Sequence, residues 1–356
     1  MRAVLLPGDR QVLIIDRPKP EPGPGEVLLE MRAAGLCGSD LHMHYRIPAA
    51  QRRGEVFGLR TNPDIVPSHE PAGVVAAVGA GIDHPAVGDR VVVHHMAGCG
   101  YCQECRRGWD INCQQRWGVY GLDRPGALQD FMTVRARDCV IVPDNVTLAE
   151  AAYYSCGAGT GYLALRRAGF GLGDTVVVVG LGPVGLAASY FAQLAGATVI
   201  GIDTIAGRCA FARERGVQVT ANPRIEDVGE VIAAATDGHG ADVVVESSGS
   251  SPGRVLGLDA AAIRGRMVLV GFADDDTTID VQRYIIQKQL DVRGAWMFPL
   301  PDLDLLLQDV SRRGISIAPL IPARFPITQA EQAWRTFDAG SLGKTIISWE
   351  DGSEES

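Results

Sequence analysis

Lysine is nearly absent: Lys19, Lys288 and Lys344 stand beside thirty arginines in a chain of 356 residues. No arginine-rich run concentrates that charge, so the imbalance reads as codon bias rather than as a basic patch. The formal charge of −9 and a pI near 5.3 argue against nucleic acid or an anionic membrane surface as a partner. Internal repeats and low-complexity tracts are missing too, and the apolar run in MRAVLLPGDR is too short for a signal peptide. Only one long stretch lacks charge, Thr175 to Ile202, and it is long enough to cross a bilayer. It breaks at Gly180, Gly182, Pro183 and Gly185, so a buried strand, turn and helix explains it equally well. A cytoplasmic location without membrane contact is expected, and disulfides are rare in that compartment.

What is present is ordinary globular composition, 46% hydrophobic and 21% charged, in a length that suits two domains. Residues 1 to about 155 read as short strands punctuated by Gly and Pro: AVLL, EVLLEMRAAG, AGVVAAVGAG, DRVVVHH and FMTVRARDCVIVP. That pattern predicts a β-rich, barrel-like domain. From about residue 157 the rhythm becomes strand, helix, strand, with helices expected near 206–215 and 253–263. Continuous Val/Ile runs alternating with helical segments indicate an α/β, doubly wound parallel sheet. The last sixty residues return to mixed character and end in WEDGSEES, an acidic tail expected to fray.

The stretch VVVVGLGPVG puts Gly180, Gly182 and Gly185 between a strand and a helix. The first glycine allows the tight turn, the second lets backbone approach a pyrophosphate, and the third lets helix and strand pack closely. The helix N-terminus then offers unpaired N–H groups and partial positive charge to phosphates, and Pro183 suits its first turn. The next strand ends in Asp203, placed to bond ribose hydroxyls and to repel a 2′-phosphate. NAD is therefore expected over NADP, with Arg208 five residues on as a countervailing cation.

Four of the eight cysteines, Cys99, Cys102, Cys105 and Cys113, follow the spacing C-x2-C-x2-C-x7-C. A closed tetrahedral zinc site is the simplest account, and four thiolates leave no position for a substrate, so such a site ties down a loop. Disulfides and an iron–sulfur cluster stay open as alternatives. Elsewhere, Cys37 in GLCGSDLH, His69 and Glu70 in VPSHEPAG and Cys156 in YYSCGAGTGY offer two thiolates and an imidazole, a set that leaves zinc a free fourth position. No local spacing joins them, and each alone reads equally well as a buried thiol or a satisfied histidine.

In order, GLCGSDLH, PSHEPAG, VGDRV, the four-cysteine lobe, SCGAGTGY, GLGPVG with Asp203, and VVVESSG span nearly the whole chain. With these motifs the sequence resembles the zinc-dependent medium-chain alcohol dehydrogenases. The resemblance implies a GroES-like catalytic domain from residues 1–156 and 297–356, carrying a structural zinc lobe at about 95–115, and a Rossmann NAD-binding domain at 157–296. It implies catalytic zinc on Cys37, His69 and Cys156, Glu70 as an alternating ligand, and Asp40 orienting His69. It also implies a proton relay through Ser39 and His42, nicotinamide-side packing by Thr160 and Val184, a carboxamide contact at Val270 to Phe272, and Lys344 near the pyrophosphate. Two zinc ions per chain, a small alcohol or carbonyl substrate, and a homodimer or homotetramer joined near DVRGAWMF follow as expectations. Cys156 points to the alcohol dehydrogenase branch and CGSD to polyol or threonine enzymes. A zinc-independent enone or quinone reductase and a non-catalytic nucleotide-binding sensor are the remaining readings. Residues 44–62 read as an insertion over the substrate cleft, where Arg46, Arg52, Arg53 and Arg60 either meet an anionic substrate or line a solvated loop.

Overall fold

The computed structural model describes residues 1–51, 54–56, 59–115, 118–272 and 276–349, with backbone only at 54–56 and 59–61. The chain divides into two compact units: Met1–Cys156 with the C-terminal segment from Phe298, and Gly157–Met297.

The first unit is built on a seven-stranded sheet ordered Cys139–Ile141, Arg90–Val93, Pro71–Val78, Glu26–Gly35, Thr345–Ser348 and Ala323–Pro326, with Phe131–Arg135 also paired to Glu26–Gly35. Strand 26–35 alternates apolar residues on a pleat, and Val27, Leu29 and Met31 are wholly buried in the core. Trp334, also wholly buried, stacks on Tyr45 with ring centroids 5.5 Å apart. Two pairings decide where the chemistry sits. Ala34 lies opposite Pro71 on one side and Ile347 on the other, so the end of strand 26–35 meets the starts of strands 71–78 and 345–348. The residues just outside those strand ends, Cys37, His69, Glu70 and Lys344, are therefore gathered by sheet register alone.

Cys156 arrives from a different direction. Thr147 caps the helix Leu148–Tyr153 through a reciprocal box with Glu150. The other oxygen of Glu150 accepts from Ser316 Oγ and from the Ile317 and Ala318 N–H groups at 2.7–3.2 Å. One buried carboxylate thus clamps two halves of the unit that lie far apart in sequence. A π-helical turn, Tyr154–Ala158, follows and carries Cys156.

The second unit has the parallel sheet expected from the Val/Ile runs, in six strands. Its strands are all parallel, in the order Val219–Ala221, Thr198–Ile202, Thr175–Val179, Ala241–Glu246, Ala261–Leu269 and Asp291–Gly294. This is the doubly wound order whose first crossover opens at the central strand. The expected helices lie at Ala206–Arg213 and Ser251–Ala260. The charge-free stretch 175–202 resolves into a strand, the twelve-residue helix Pro183–Leu194 and a second strand. Among the described residues no helix is long and apolar enough to cross a membrane.

Candidate active site and cysteine lobe

In the lobe, Cys99, Cys102, Cys105 and Cys113 bring their sulfurs within 4.8 Å of one another. Cys99 and Cys105 are 3.9 Å apart, Cys102 and Cys113 4.0 Å. A zinc ion with Zn–S bonds of about 2.3 Å needs a tetrahedron with edges of about 3.8 Å. Disulfide bonds, with sulfurs about 2 Å apart, do not match this spacing, and none of the four cysteines is disulfide-bonded. Backbone N–H groups of Cys99 and Cys102 point at Cys113 and Cys99 sulfurs, 3.2 and 3.3 Å away. Backbone hydrogen bonds hold the Cys102 thiol at about 6, favouring thiolate, while burial pushes Cys105 up to about 12. The lobe fits a closed metal site. It is moored by Asp110, which meets His94 Nδ1 at 3.2 Å and accepts from Leu300 N–H at 3.3 Å, while His94 Nε2 donates to the Phe298 carbonyl at 2.8 Å.

Cys37, His69, Glu70 and Cys156 also place their donor atoms within 4.8 Å of one another. The Cys37 and Cys156 sulfurs are 4.0 Å apart, again a tetrahedral edge. Asp40 is wholly buried, with an oxygen 3.4 Å from His69 Nδ1, and its other oxygen accepts from Cys37 N–H. That leaves the Nε2 side of His69 as the donor, in the arrangement common behind metal-bound histidines. The electrostatics favour a cation. Hydrogen bonding from Cys156 holds Cys37 well below an ordinary thiol, and the same bond pushes Cys156 up. Burial disfavours charge on His69, yet Asp40 and the Cys37 sulfur together draw positive charge onto it. The donor set and its field fit zinc held by two thiolates and an imidazole.

Glu70 belongs to this cluster and is also committed to a second partner. Burial raises its carboxyl to about 7, opposed by the Lys344 ammonium, which is itself wholly buried and bonded to it. Lys344 Nζ also donates to the Leu36 carbonyl at 2.9 Å and lies 5.3 Å from the Tyr153 ring centre. This corrects the expectation of a pyrophosphate contact, because the only cation of the LGKT segment is turned inward and committed to Glu70. Gly35 makes the pair possible: a Cβ there would come within 1.9 Å of a Glu70 oxygen and 2.8 Å of the Lys344 side chain.

Ser39 is half-buried and His42 exposed, three residues apart on the helical turn that follows Cys37. His44, which the sequence reading passed over, is wholly buried beneath them, with Nε2 2.8 Å from the Gly121 carbonyl and 4.0 Å from Asp40. His95 was also passed over, inside a run read only as strand. It is buried, its ring centroid is 4.6 Å from that of His69, and the Ser155 backbone bonds it. The expected insertion begins inside the core. His44 and Tyr45 are buried, and Arg46 is exposed and paired with Asp338. Arg52 and Arg53, and the side chain of Arg60, lie outside the described residues, as does the tail beyond Trp349.

In the second unit, Gly180 takes a φ of +91° and a Cβ on it would meet Ser248 backbone at 2.9 Å. A Cβ on Gly185 would strike the Gly180 carbonyl at 1.8 Å, so strand and helix pack closely only here as glycine. A Cβ on Gly182 meets nothing nearer than Arg208 at 3.9 Å, which leaves backbone facing open space at the helix N-cap. That is the cradle a pyrophosphate fills. Pro183 and Val184 form the first turn. Asp203 accepts from the Leu181 and Ile205 N–H groups at 2.8 Å each, and Arg208 lies 3.6 Å away. Thr160 is buried with its hydroxyl 3.9 Å from Met297 Sδ. Val270 donates its N–H to the Glu246 carbonyl at 2.8 Å, and Phe272 is exposed.

Comparison with known proteins agrees with both units. The alcohol dehydrogenase GroES-like domain matches residues 23–144 and the zinc-binding dehydrogenase domain matches residues 183–312. The chain is 34% identical to the uncharacterized zinc-type alcohol dehydrogenase-like protein YphC of Escherichia coli K12, over 99% of each chain. It is 29% identical to an L-threonine 3-dehydrogenase of Serratia proteamaculans over 97% of this chain and 98% of that one. The alcohol dehydrogenase TADH from Thermus sp. ATN1 superposes with a TM-score of 0.86 at 27% identity, covering 98% and 99% of the two chains. The chain therefore belongs to the zinc-dependent medium-chain alcohol dehydrogenase family of oxidoreductases.

Proposed function

We propose that this protein is an NAD-dependent dehydrogenase that oxidises an alcohol to its aldehyde or ketone, or runs the reverse, with one catalytic and one structural zinc per chain. The observation that carries this is the open donor set of Cys37, His69 and Cys156, beside a second set of four thiols that is already complete. Zinc on the open set would supply Lewis acidity, lowering the pKa of a bound alcohol. Asp40 fixes the ring of His69 and its tautomer. Lys344 bonds the Glu70 carboxylate, so its ammonium would compete with a metal for this fourth donor. Ser39 and His42 lead outward from Cys37, and an imidazole able to take up and pass on a proton suits the last step of proton release to solvent. Asp203 supports NAD as acceptor of the hydride, since its carboxylate disfavours a 2′-phosphate.

A polyol or threonine-type substrate is the second reading, favoured by the threonine dehydrogenase relative and by CGSD. We further propose a homo-oligomer joined along Asp291–Gly294, the largely exposed edge strand of the parallel sheet. The test is NADH formation over primary and secondary alcohols, polyols and 3-hydroxy amino acids, with NADP as competitor cofactor and with and without a zinc chelator. Chelator-sensitive NADH formation with about two zinc per chain supports the reading; NADP preference or indifference to the chelator refutes it.

A further inference from the structure

Ser68 stands directly before His69, and its backbone is held in the left-handed region, at a φ of +71°. A residue with a Cβ takes up that region rarely, and the strain persists only where the surroundings over-determine it. Here they do. The Ser68 carbonyl accepts from the Ala127 N–H at 2.8 Å, and the Val66 and Pro67 carbonyls accept from the Gly126 and Leu128 N–H groups at 2.8 and 3.2 Å. Gly121 and Gly126 press on the same peptide: a Cβ on them would come within 2.6 and 2.3 Å of the Ser68 carbonyl oxygen. The loop 121–128 thus imposes the left-handed turn, and a glycine at position 68 would take it up without strain.

Serine adds one thing that glycine lacks. The residue is wholly buried, and its hydroxyl donates to the Gly35 carbonyl at 2.8 Å. The Gly35 N–H in turn donates to the Glu70 carbonyl at 3.1 Å. Gly35 precedes Cys37 by two residues and Ser68 precedes His69 by one, so the hydroxyl ties together the two segments that deliver these donors. We propose that Ser68 is a positioning residue: its hydroxyl fixes the placement of Cys37 relative to His69, and the open set binds zinc tightly because of it. The inference rests on the reading of Cys37, His69 and Cys156 as a zinc site and adds a residue behind it. Asp40 steers the ring of His69, whereas Ser68 ties down the backbone that carries the ring. Partners standing behind metal ligands in this way typically account for about 10–100-fold in metal affinity.

The experiment reads zinc alone, without substrate. Wild type, Ser68→Gly and Ser68→Ala are loaded with zinc, and the ions retained per chain are followed through a titration with EDTA. Cys156→Ser, which keeps only the four-thiol lobe intact, identifies the step that belongs to the lobe. The melting temperature of each protein is measured in its loaded form. Glycine removes the hydroxyl and relaxes the turn; alanine removes the hydroxyl and keeps the strain. Both variants should release the open-set zinc at about 10–100-fold lower chelator concentration than wild type, while the lobe step stays where it was. Ser68→Gly should melt within a few degrees of wild type, and should the alanine variant not fold, the glycine variant decides. Unchanged release of the open-set zinc in Ser68→Gly overturns the inference, and so does loss confined to Ser68→Ala, which would make the backbone rather than the hydroxyl the agent. Weakening of both ions together with a large fall in melting temperature in Ser68→Gly also overturns it, since Ser68 would then serve the fold as a whole. In each of these cases the zinc reading of the open set stands. A wild type that retains only the ion retained by Cys156→Ser overturns both.

Discussion

The two cysteine clusters reach nearly the same geometry by opposite routes. Cys99, Cys102, Cys105 and Cys113 meet within one short segment, where the turns of the chain and two N–H···S bonds bring them together. Cys37 and Cys156 lie 119 residues apart and meet at the same 4.0 Å only because strand register and a capped helix deliver them. Local closure produces a complete shell that has nothing left to offer a substrate. Long-range assembly allows a three-donor set, with its supporting carboxylates and cation drawn from further segments. The open set is therefore the one that depends on the rest of the fold, and the closed one is the one on which its own neighbourhood depends.

Removing one sulfur from each cluster gives the sharpest contrast. Cys156→Ser is expected to lower kcat/KM by about a thousandfold or more, since the Lewis acid contributes several kcal/mol to such reactions. Its melting temperature should stay within a few degrees, because the strands that deliver the other donors are intact. Large unfolding of this variant, seen by circular dichroism, would mean that the open set is structural after all.

Next in size is the scaffold behind the open set. Lys344→Met leaves the Glu70 carboxylate buried without its cation, which should destabilise the fold by about 3–5 kcal/mol in urea titrations. Adding Glu70→Gln to it should recover part of that loss, since the uncompensated charge is then gone. Additive losses in the pair would show that the two residues stabilise the fold independently, against the contact described here.

Cys102→Ser inverts the first result. The lobe loses its fourth thiolate, and the expected cost of about 3 kcal/mol corresponds to a drop of roughly 6–12 °C in melting temperature, accompanied by loss of one zinc per chain. Turnover of the surviving folded enzyme at low temperature should stay within a few-fold of wild type. Unchanged thermal stability and zinc content would refute a structural metal in the lobe.

The same contrast explains which parts of the molecule were legible in the sequence. The lobe spacing and the Gly180–Gly185 turn are local, and so are the Val runs of the parallel strands; each states its geometry within a dozen residues. Cys37, His69 and Cys156 do not, and only the ordered set of motifs across the chain joined them. Lys344 was placed near the pyrophosphate by the resemblance alone, and nothing nearby in sequence shows that Gly35, some three hundred residues earlier, leaves room for it beside Glu70. The Arg46 partner was equally invisible, since Asp338 is 292 positions away. His95 went unnoticed because its run carries the apolar pattern of a strand, and its meaning comes only from the His69 ring beside it.

The smallest predicted effect concerns the path out of the open set. His42 is pushed below its ordinary value of 6.5, first by partial burial and then by the Arg46 guanidinium, with Cys37 and Asp338 opposing. An imidazole can take up a proton only while neutral, so alcohol oxidation should rise with pH through a limb lying below 6.5 and then level off. Arg46→Gln removes the nearby cation, so the limb should move to higher pH by a fraction of a unit. His42→Ala should remove the limb and lower the plateau by only about tenfold, because water reaches this exposed position and partly substitutes for the base. The closed lobe takes no part in this path, so Cys102→Ser should leave the profile where it was. A limb that persists unchanged in His42→Ala would place the proton exit elsewhere, and Ser39 would then lead to solvent by a route that bypasses the helix face it shares with His42.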